Sequence, residues 1–468
     1  MGRNIGFVST RFAGTDGVSL EASKWAAVLA QQGNRCFWFA GELDRDPDCS
    51  LLVPEAHFKH PLIQQLHAQV CGQHSRNASI TDLVHYLRSK IKRELYNFVE
   101  HFLLDLLIVE NAFAIPMNLP LGLALAEAIS ETQIPTIAHH HDFYWERTLY
   151  SVNAIGEYLQ MAFPPSLPNI EHVVINSAAQ EELAHRRGVV ATVIPNVLDF
   201  ENPPLIDRRK AEEYRNSIGL KSNDIGILQP TRIIRRKGIE LAIELIKSLN
   251  DPSCKLVLSH ESGDEGPVYA QWLRNHACDN GVDLRFAKTH LISPWAGSNG
   301  QRPNFSLWDI YPLADFITFP SLREGFGNAL LETIYFKKPM LVNRYATYVQ
   351  DIEPLGFDII SINGFLTQEI VERVKEVLFS PTCRQNMIER NYEIASKYFS
   401  YSVLCKRLAV LVADIFDGIN PKVAKAGRLR SQCVKGEAAP LGRDGEPLTT
   451  QSIQPSGFPD LFDRLVPS

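Results

Sequence analysis

The sequence predicts an α/β protein made of two Rossmann-like, doubly wound domains that face each other across a cleft. Three observations carry this expectation. At 468 residues the chain is too long for one ordinary core. Short apolar runs alternate with helical stretches in two successive series. Between the series lies a polar, charged segment containing Pro203 and Pro204. The expected division is therefore a first domain over 1–200, a linker over 201–222 and a second domain over 223–395. A closing helix over 396–418 is expected to pack back toward the first domain, followed by a disordered tail over 419–468, where Pro, Gly, Ser and charges dominate.

Each element has a local reason. Ile5 to Ser9 reads as a strand, Gly14 to Gly17 as a glycine-containing loop, and Ser19 to Gln32 as a helix capped by Ser19 and stopped by Gly33. Cys36 to Ala40 completes a βαβ unit. Residues 62–104 read as mostly helical, with a basic stretch from Arg88 to Arg93. Leu104 to Val109 and Pro135 to Ala138 are buried strands, and the latter runs into His139-His140-His141-Asp142. In the second series, strands are expected at Ile225 to Leu228, Cys254 to Ser259, Asp283 to Ala287, Asp315 to Phe319 and Pro339 to Asn343. Helices fall between them.

Composition narrows the function classes. With 45% hydrophobic and 21% charged residues, the chain is a globular protein over most of its length. A net charge of −6 argues against a nucleic-acid binder. No run of 18 apolar residues occurs, so no spanning helix is expected. Met1 to Asn4 lead straight into a strand and no signal peptide fits there. The eight cysteines are scattered without a C-x-x-C pair, which suits free thiols in the cytoplasm. A membrane-surface role for the Arg88–Arg93 stretch is the alternative to a solvated helix face.

The chemistry-bearing residues lie where strands hand over to helices. Glu324-Gly325-Phe326-Gly327-Asn328 and Glu332 follow the strand ending at Phe319. Glycines there let backbone N–H groups approach a ligand, and a helix N-terminus attracts an anion. The two glutamates suit either acid–base work or the acceptance of ligand hydroxyls. Arg232 and Lys237 sit just past another strand, a placement that suits a diphosphate or a solvated basic loop. The histidine run suits a catalytic or substrate-binding role; metal ligation is the lesser reading, because successive side chains alternate faces and no second Cys/His cluster completes a site. Asp142, Tyr144 and Arg147 extend it with polar and aromatic groups for an acceptor.

Together these blocks resemble the GT-B retaining glycosyltransferases of family 4. The resemblance is carried by Ile194-Pro195-Asn196-Val197-Leu198-Asp199, Thr231-Arg232, Lys237-Gly238, and Glu324 through Glu332. Asp16 to Glu21 and His140 to Arg147 are further similar to the mannosylglucosyl-phosphoglycerate synthase branch. The resemblance implies a nucleotide-sugar donor, a hydroxyl acceptor, and neither metal nor cofactor. Arg232 and Lys237 would hold the diphosphate and Glu332 the ribose. Glu324 would hold the hexose, and Gly325, Phe326, Gly327 and Asn328 would line the donor. Gly17 would approach from the other domain. His141, with His140 second, would meet the sugar. Alternatives are a lipid or polysaccharide acceptor at a membrane, a GT-B phosphorylase or epimerase, and a non-catalytic nucleotide-sugar binder.

Overall fold

A computed structural model describes residues 2–14, 16–203, 205–259, 266–286 and 307–417. The expected tail lies outside these residues, as do residues 260–265 and 287–306.

The first sheet contains β1 (Asn4–Val8), β2 (Arg35–Ala40), β3 (Ser50–Leu52), β4 (Leu106–Glu110), β5 (Thr136–His140), β6 (Ile170–Val174) and β7 (Ala191–Val193), in the order β3-β2-β1-β4-β5-β6-β7. The second contains β8 (Ile225–Gln229), β9 (Cys254–Leu258), β10 (Leu284–Phe286), β11 (Phe316–Phe319), β12 (Met340–Asn343) and β13 (Ile360–Ile362), in the order β10-β9-β8-β11-β12-β13. Their ladders are parallel. Such strands are covered on both faces and so read as mainly apolar runs; every residue of β4 and β5 is buried. Each sheet reverses direction once, between β1 and β4 in the first and between β8 and β11 in the second. In open α/β sheets that crevice is where ligands bind.

Three local findings refine the expectations. The first helix spans Gly17–Gln31 and begins before Ser19, because Asp16 is its cap: the Asp16 carboxylate accepts from Ser19 N at 3.2 Å and Ser19 Oγ at 2.6 Å. Within the expected linker, Arg208–Ser217 is a helix. It is so charged that it reads as linker, and it is anchored by one aromatic, Tyr214, which is 1% exposed. The last described helix, Tyr401–Asp417, packs on Gly17–Gln31, with the Arg3 guanidinium 3.4 Å from the Phe416 ring centroid.

The basic stretch is not a bare cationic face. On helix Ala78–His101, Arg88 meets Glu127 at 2.8 Å, Lys90 meets Glu55 at 2.6 Å, and Lys92 meets Glu127 and Glu131 at 3.0 Å each. Helix Leu119–Thr132 supplies Glu127 and Glu131, so these charges are neutralised within the domain. Among the described residues no helix is long and apolar enough to cross a membrane. The described cysteines are all free.

Candidate active site

At the second switch point, β8 leads into the short turn Arg235–Lys237. Gly238 follows with φ +60°, and a Cβ there would lie 2.3 Å from Pro320 O. Only glycine fits, and the close approach presses the loop after β8 onto the loop after β11. Lys237 is thereby 8% exposed and ion-paired with Glu324. Burial, with Arg236 and Arg232, lowers the Lys237 ammonium from its usual range, while Glu324 opposes the shift. Arg236 Nη1 reaches the other Glu324 oxygen at 3.4 Å and Arg323 O at 2.9 Å.

Gly327, at φ +104°, caps helix Asn328–Tyr335. The hydroxyl of Tyr345 donates to Phe326 O at 2.9 Å and would collide with any Cβ on Gly327. The turn is therefore rigid and aims the helix N–H groups outward. One turn along, Glu332 accepts from the Tyr311 hydroxyl at 2.7 Å. Burial raises the Glu332 carboxyl, against the Tyr311 bond and the charges of Lys24 and Lys237. Lys24 belongs to the first domain.

The first switch point is built differently. Ser9 Oγ donates to Glu110 O at 2.9 Å, tying the end of β1 to the end of β4. Glu110 and His139 are cross-strand partners. The period of two puts His139 and His141 on one face and His140 on the other. Glu110 Oε2 accepts from His139 Nδ1 at 3.0 Å and from His141 Nε2 at 3.1 Å. Burial would raise the Glu110 carboxyl, but the two imidazoles outweigh it and hold it at about 2. His141 is raised: burial pulls it down, while Glu110, Glu21 and Asp142 push it up by more. Trp25 stacks on His139 at 4.2 Å, and Glu21, one helical turn earlier, is fully buried and paired with Lys24 at 2.8 Å.

Among the described residues, Glu110, His139 and His141 are the one group whose ligand atoms, within 4.8 Å of one another, suit a metal ion. A metal-bound imidazole ordinarily donates through its second nitrogen. His139 Nε2 is buried without a partner, so the group reads as a hydrogen-bonded triad.

The two edges meet directly. A Cβ on Gly325 would lie 3.2 Å from His141 O, and one on Gly17 would lie 3.9 Å from Asn328 Nδ2. The Asn176 amide donates to Gly325 O at 2.8 Å, and the Asn196 amide to Asn328 Oδ1 at 2.6 Å. Arg323 pairs with Glu146 at 2.8 Å, and Ser177 N donates to Asp351 at 2.9 Å. Two helix N-termini, at Gly17 and Asn328, thus face one another beside Lys237, an arrangement that attracts an anion with two negative groups. Glu324 and Glu332 offer acceptors for hydroxyls on either side.

Most expected site residues converge here: Gly17, His141, Lys237, Glu324 to Asn328 and Glu332. Arg232, exposed at the end of β8, adds its charge. His140 does not belong. Its Nε2 lies 2.9 Å from His172 Nδ1, it is 1% exposed, and burial with three neighbouring imidazoles pushes it well below the usual histidine range. It is a core residue on the opposite face of β5. Of the expected acceptor residues, Asp142 and Arg147 pair with each other at 3.0 Å, with Asn111 on Asp142 at 3.0 Å. Tyr144 instead packs against the hydrophobic core.

No family model matches the chain. It is 32% identical over 418 residues to the mannosylglucosylglycerate synthase of Thermotoga maritima, covering 82% of this chain and 94% of the relative. It is 33% identical over 442 residues to the enzyme of that name from Petrotoga mobilis, covering 84% and 98%. The chain belongs to the mannosylglucosylglycerate synthase family. It is a hexosyltransferase. Similarity to the mannosylglucosyl-3-phosphoglycerate synthase of Petrotoga mobilis is narrower, 28% over 47% of this chain and 43% of the relative. A glycosyltransferase from Rickettsia africae (TM-score 0.64, 89% of this chain and 98% of that one) and sucrose-phosphate synthase from Thermosynechococcus elongatus (0.61, 89% and 100%) share the fold at 13% identity each. The fold is GT-B.

For this member of the mannosylglucosylglycerate synthase family, the sequence assigned no site role to Glu110, Glu21, Asn176 or Arg323. Glu110 left one trace, an acid closing an apolar strand. Glu21 and Arg323 look like any surface charge until their neighbours are known.

Proposed function

We propose that the chain transfers a hexose, with retention and without a metal or cofactor, from a nucleoside-diphosphate sugar to a hydroxyl of a small glycerate-bearing acceptor. The names of the relatives support mannosyl as the unit added and glucosylglycerate as the acceptor. The observation that carries the reading is the meeting of the Lys237–Glu324 pair with the helix ends at Gly17 and Asn328. In the structure Glu324 neutralises Lys237. A bound diphosphate takes over the ammonium, joined by Arg232, and frees the Glu324 carboxylate for hexose hydroxyls. Glu332 accepts from the ribose. The bond from the anomeric carbon to the diphosphate oxygen breaks, and the acceptor oxygen bonds on the same face. Its proton passes to the departing phosphate oxygen. Preorganised cations and helix N–H groups stabilise that leaving charge in place of a metal ion.

The test is a panel of UDP- and GDP-hexoses with glucosylglycerate, read by nucleotide release and by NMR of the product anomer, with and without EDTA. One donor is expected to turn over, with the donor's anomeric configuration kept and EDTA without effect. No release from any donor, an inverted product, or loss of activity restored by a divalent cation would overturn it.

A further inference from the structure

We infer that Glu110, which faces no part of the cleft itself, is a positioning residue for the transfer: it grips His141 through Nε2 and leaves Nδ1 as the ring nitrogen that meets the transferred sugar. The inference rests on reading this cleft as a hexose-transfer site.

A carboxylate with no exposure is costly to keep in a protein interior, and an apolar residue would close β4 as well. Glu110 Oε1 has no partner. All the side-chain bonding of Glu110 therefore passes through Oε2, to His139 and His141. His139 acts as a buttress. Its ring stacks on Trp25 at 4.2 Å, and its Nδ1–H donates to the same Glu110 oxygen that His141 uses.

The rest of His141 is held as firmly. Its backbone N–H donates to Asn111 Oδ1 at 3.0 Å, and its carbonyl lies against Gly325, with no room for a Cβ at ordinary contact distance. Its side chain is 11% exposed, so the ring is presented at an edge and not in bulk water. Glu110 on β4, Glu21 on helix Gly17–Gln31 and Asp142 on the strand's own continuation all favour a proton on this ring, and burial opposes them. An ionised Glu110 accepts the Nε2–H whether His141 is neutral or charged. Protonation then switches only Nδ1, from acceptor to donor, toward a sugar hydroxyl. Without Glu110 the tautomer is unset and the ring is free to turn, which is the difference between a positioned and an unpositioned group.

The test is a double-mutant cycle of Glu110→Gln and His141→Ala in the full chain, with kcat/KM measured across pH for the donor that turns over. Glu110→Gln is expected to lower kcat/KM about 100-fold and to move the His141 limb of the pH profile to lower pH. In the His141→Ala background the same change is expected to cost nothing further. Independent, additive losses, or a Glu110→Gln enzyme equal to wild type, would overturn the inference. NMR of 15N-histidine-labelled wild-type protein supplies a readout that needs neither substrate nor variant. His141 is expected to carry hydrogen on Nε2 and to titrate above the ordinary histidine range. A neutral ring protonated on Nδ1 would overturn it as well. A wild-type enzyme that releases nucleotide from no donor defeats the hexose-transfer reading; an active wild type with an additive cycle defeats only the role of Glu110.

Discussion

The two switch points do the same geometric job with different materials. At the second, the loops after β8 and β11 carry their functional groups in short contiguous blocks, Arg232 to Gly238 and Glu324 to Glu332, locked by Gly238 and by Gly327 against Tyr345. At the first, the groups are dispersed: Glu110 from β4, His139 from β5 and His141 just past its end, Glu21 and Trp25 from the first helix. A phosphate-bearing ligand of invariant shape can be held by one rigid loop and one helix end. A site that must orient one ring beside a variable acceptor needs support from several elements.

That contrast is breakable by mutation. The largest loss is expected at the contiguous site: Lys237→Ala and Glu324→Ala should each lower kcat/KM by about 100- to 1,000-fold, read by nucleotide release, because preorganised charge stabilisation disappears. Parity with wild type would remove the second switch point from the mechanism. Next comes a comparison within the histidine run. His141→Ala should cost about 100-fold in kcat/KM. His140→Ala should leave turnover unchanged and lower stability by about 2 kcal/mol in urea unfolding, because it opens a buried cavity on the other face of β5. The reverse pattern would return His140 to the site.

A third prediction uses pH. Burial holds His172 at about 4 and pushes His140 well below the 6.5 of an unperturbed ring. The unfolded chain then takes up protons that the folded chain refuses, so stability is full above about pH 6.5 and falls as pH drops toward 4. Glu110, at about 2 against 4.5, loses its contribution as pH falls from about 4.5 toward 2. His141 runs the other way, its contribution being complete below about 6.5 and lost as pH rises through its raised value. Urea midpoints from pH 3 to 8 should fall on the acid side, and His172→Phe should flatten that fall between 6.5 and 4. A midpoint independent of pH there would place these rings in solvent. The smallest effect is expected at the edge of the cleft: Arg323→Ala removes an exposed pair with Glu146 and should cost no more than about 1 kcal/mol. A larger loss would show that this pair, and not the Asn176 and Asn196 bridges, holds the domains together.

The sequence alone determined the alternation of strands and helices, because strands buried on both faces are mainly apolar, as Leu106 to Val109 of β4 are. It also showed the blocks Arg232 to Gly238 and Glu324 to Glu332, whose glycines and charges are adjacent in the chain. The helix Arg208–Ser217 escaped because one buried anchor, Tyr214, carries no periodic signal. The resemblance put His141 ahead of His140, and the tertiary structure supplies the reason: strand register turns His139 and His141 to one face, and only the pairing of β4 with β5 brings Glu110 beneath them. Side-chain direction depends on where a strand lies in its sheet, and a linear sequence does not contain its own neighbours.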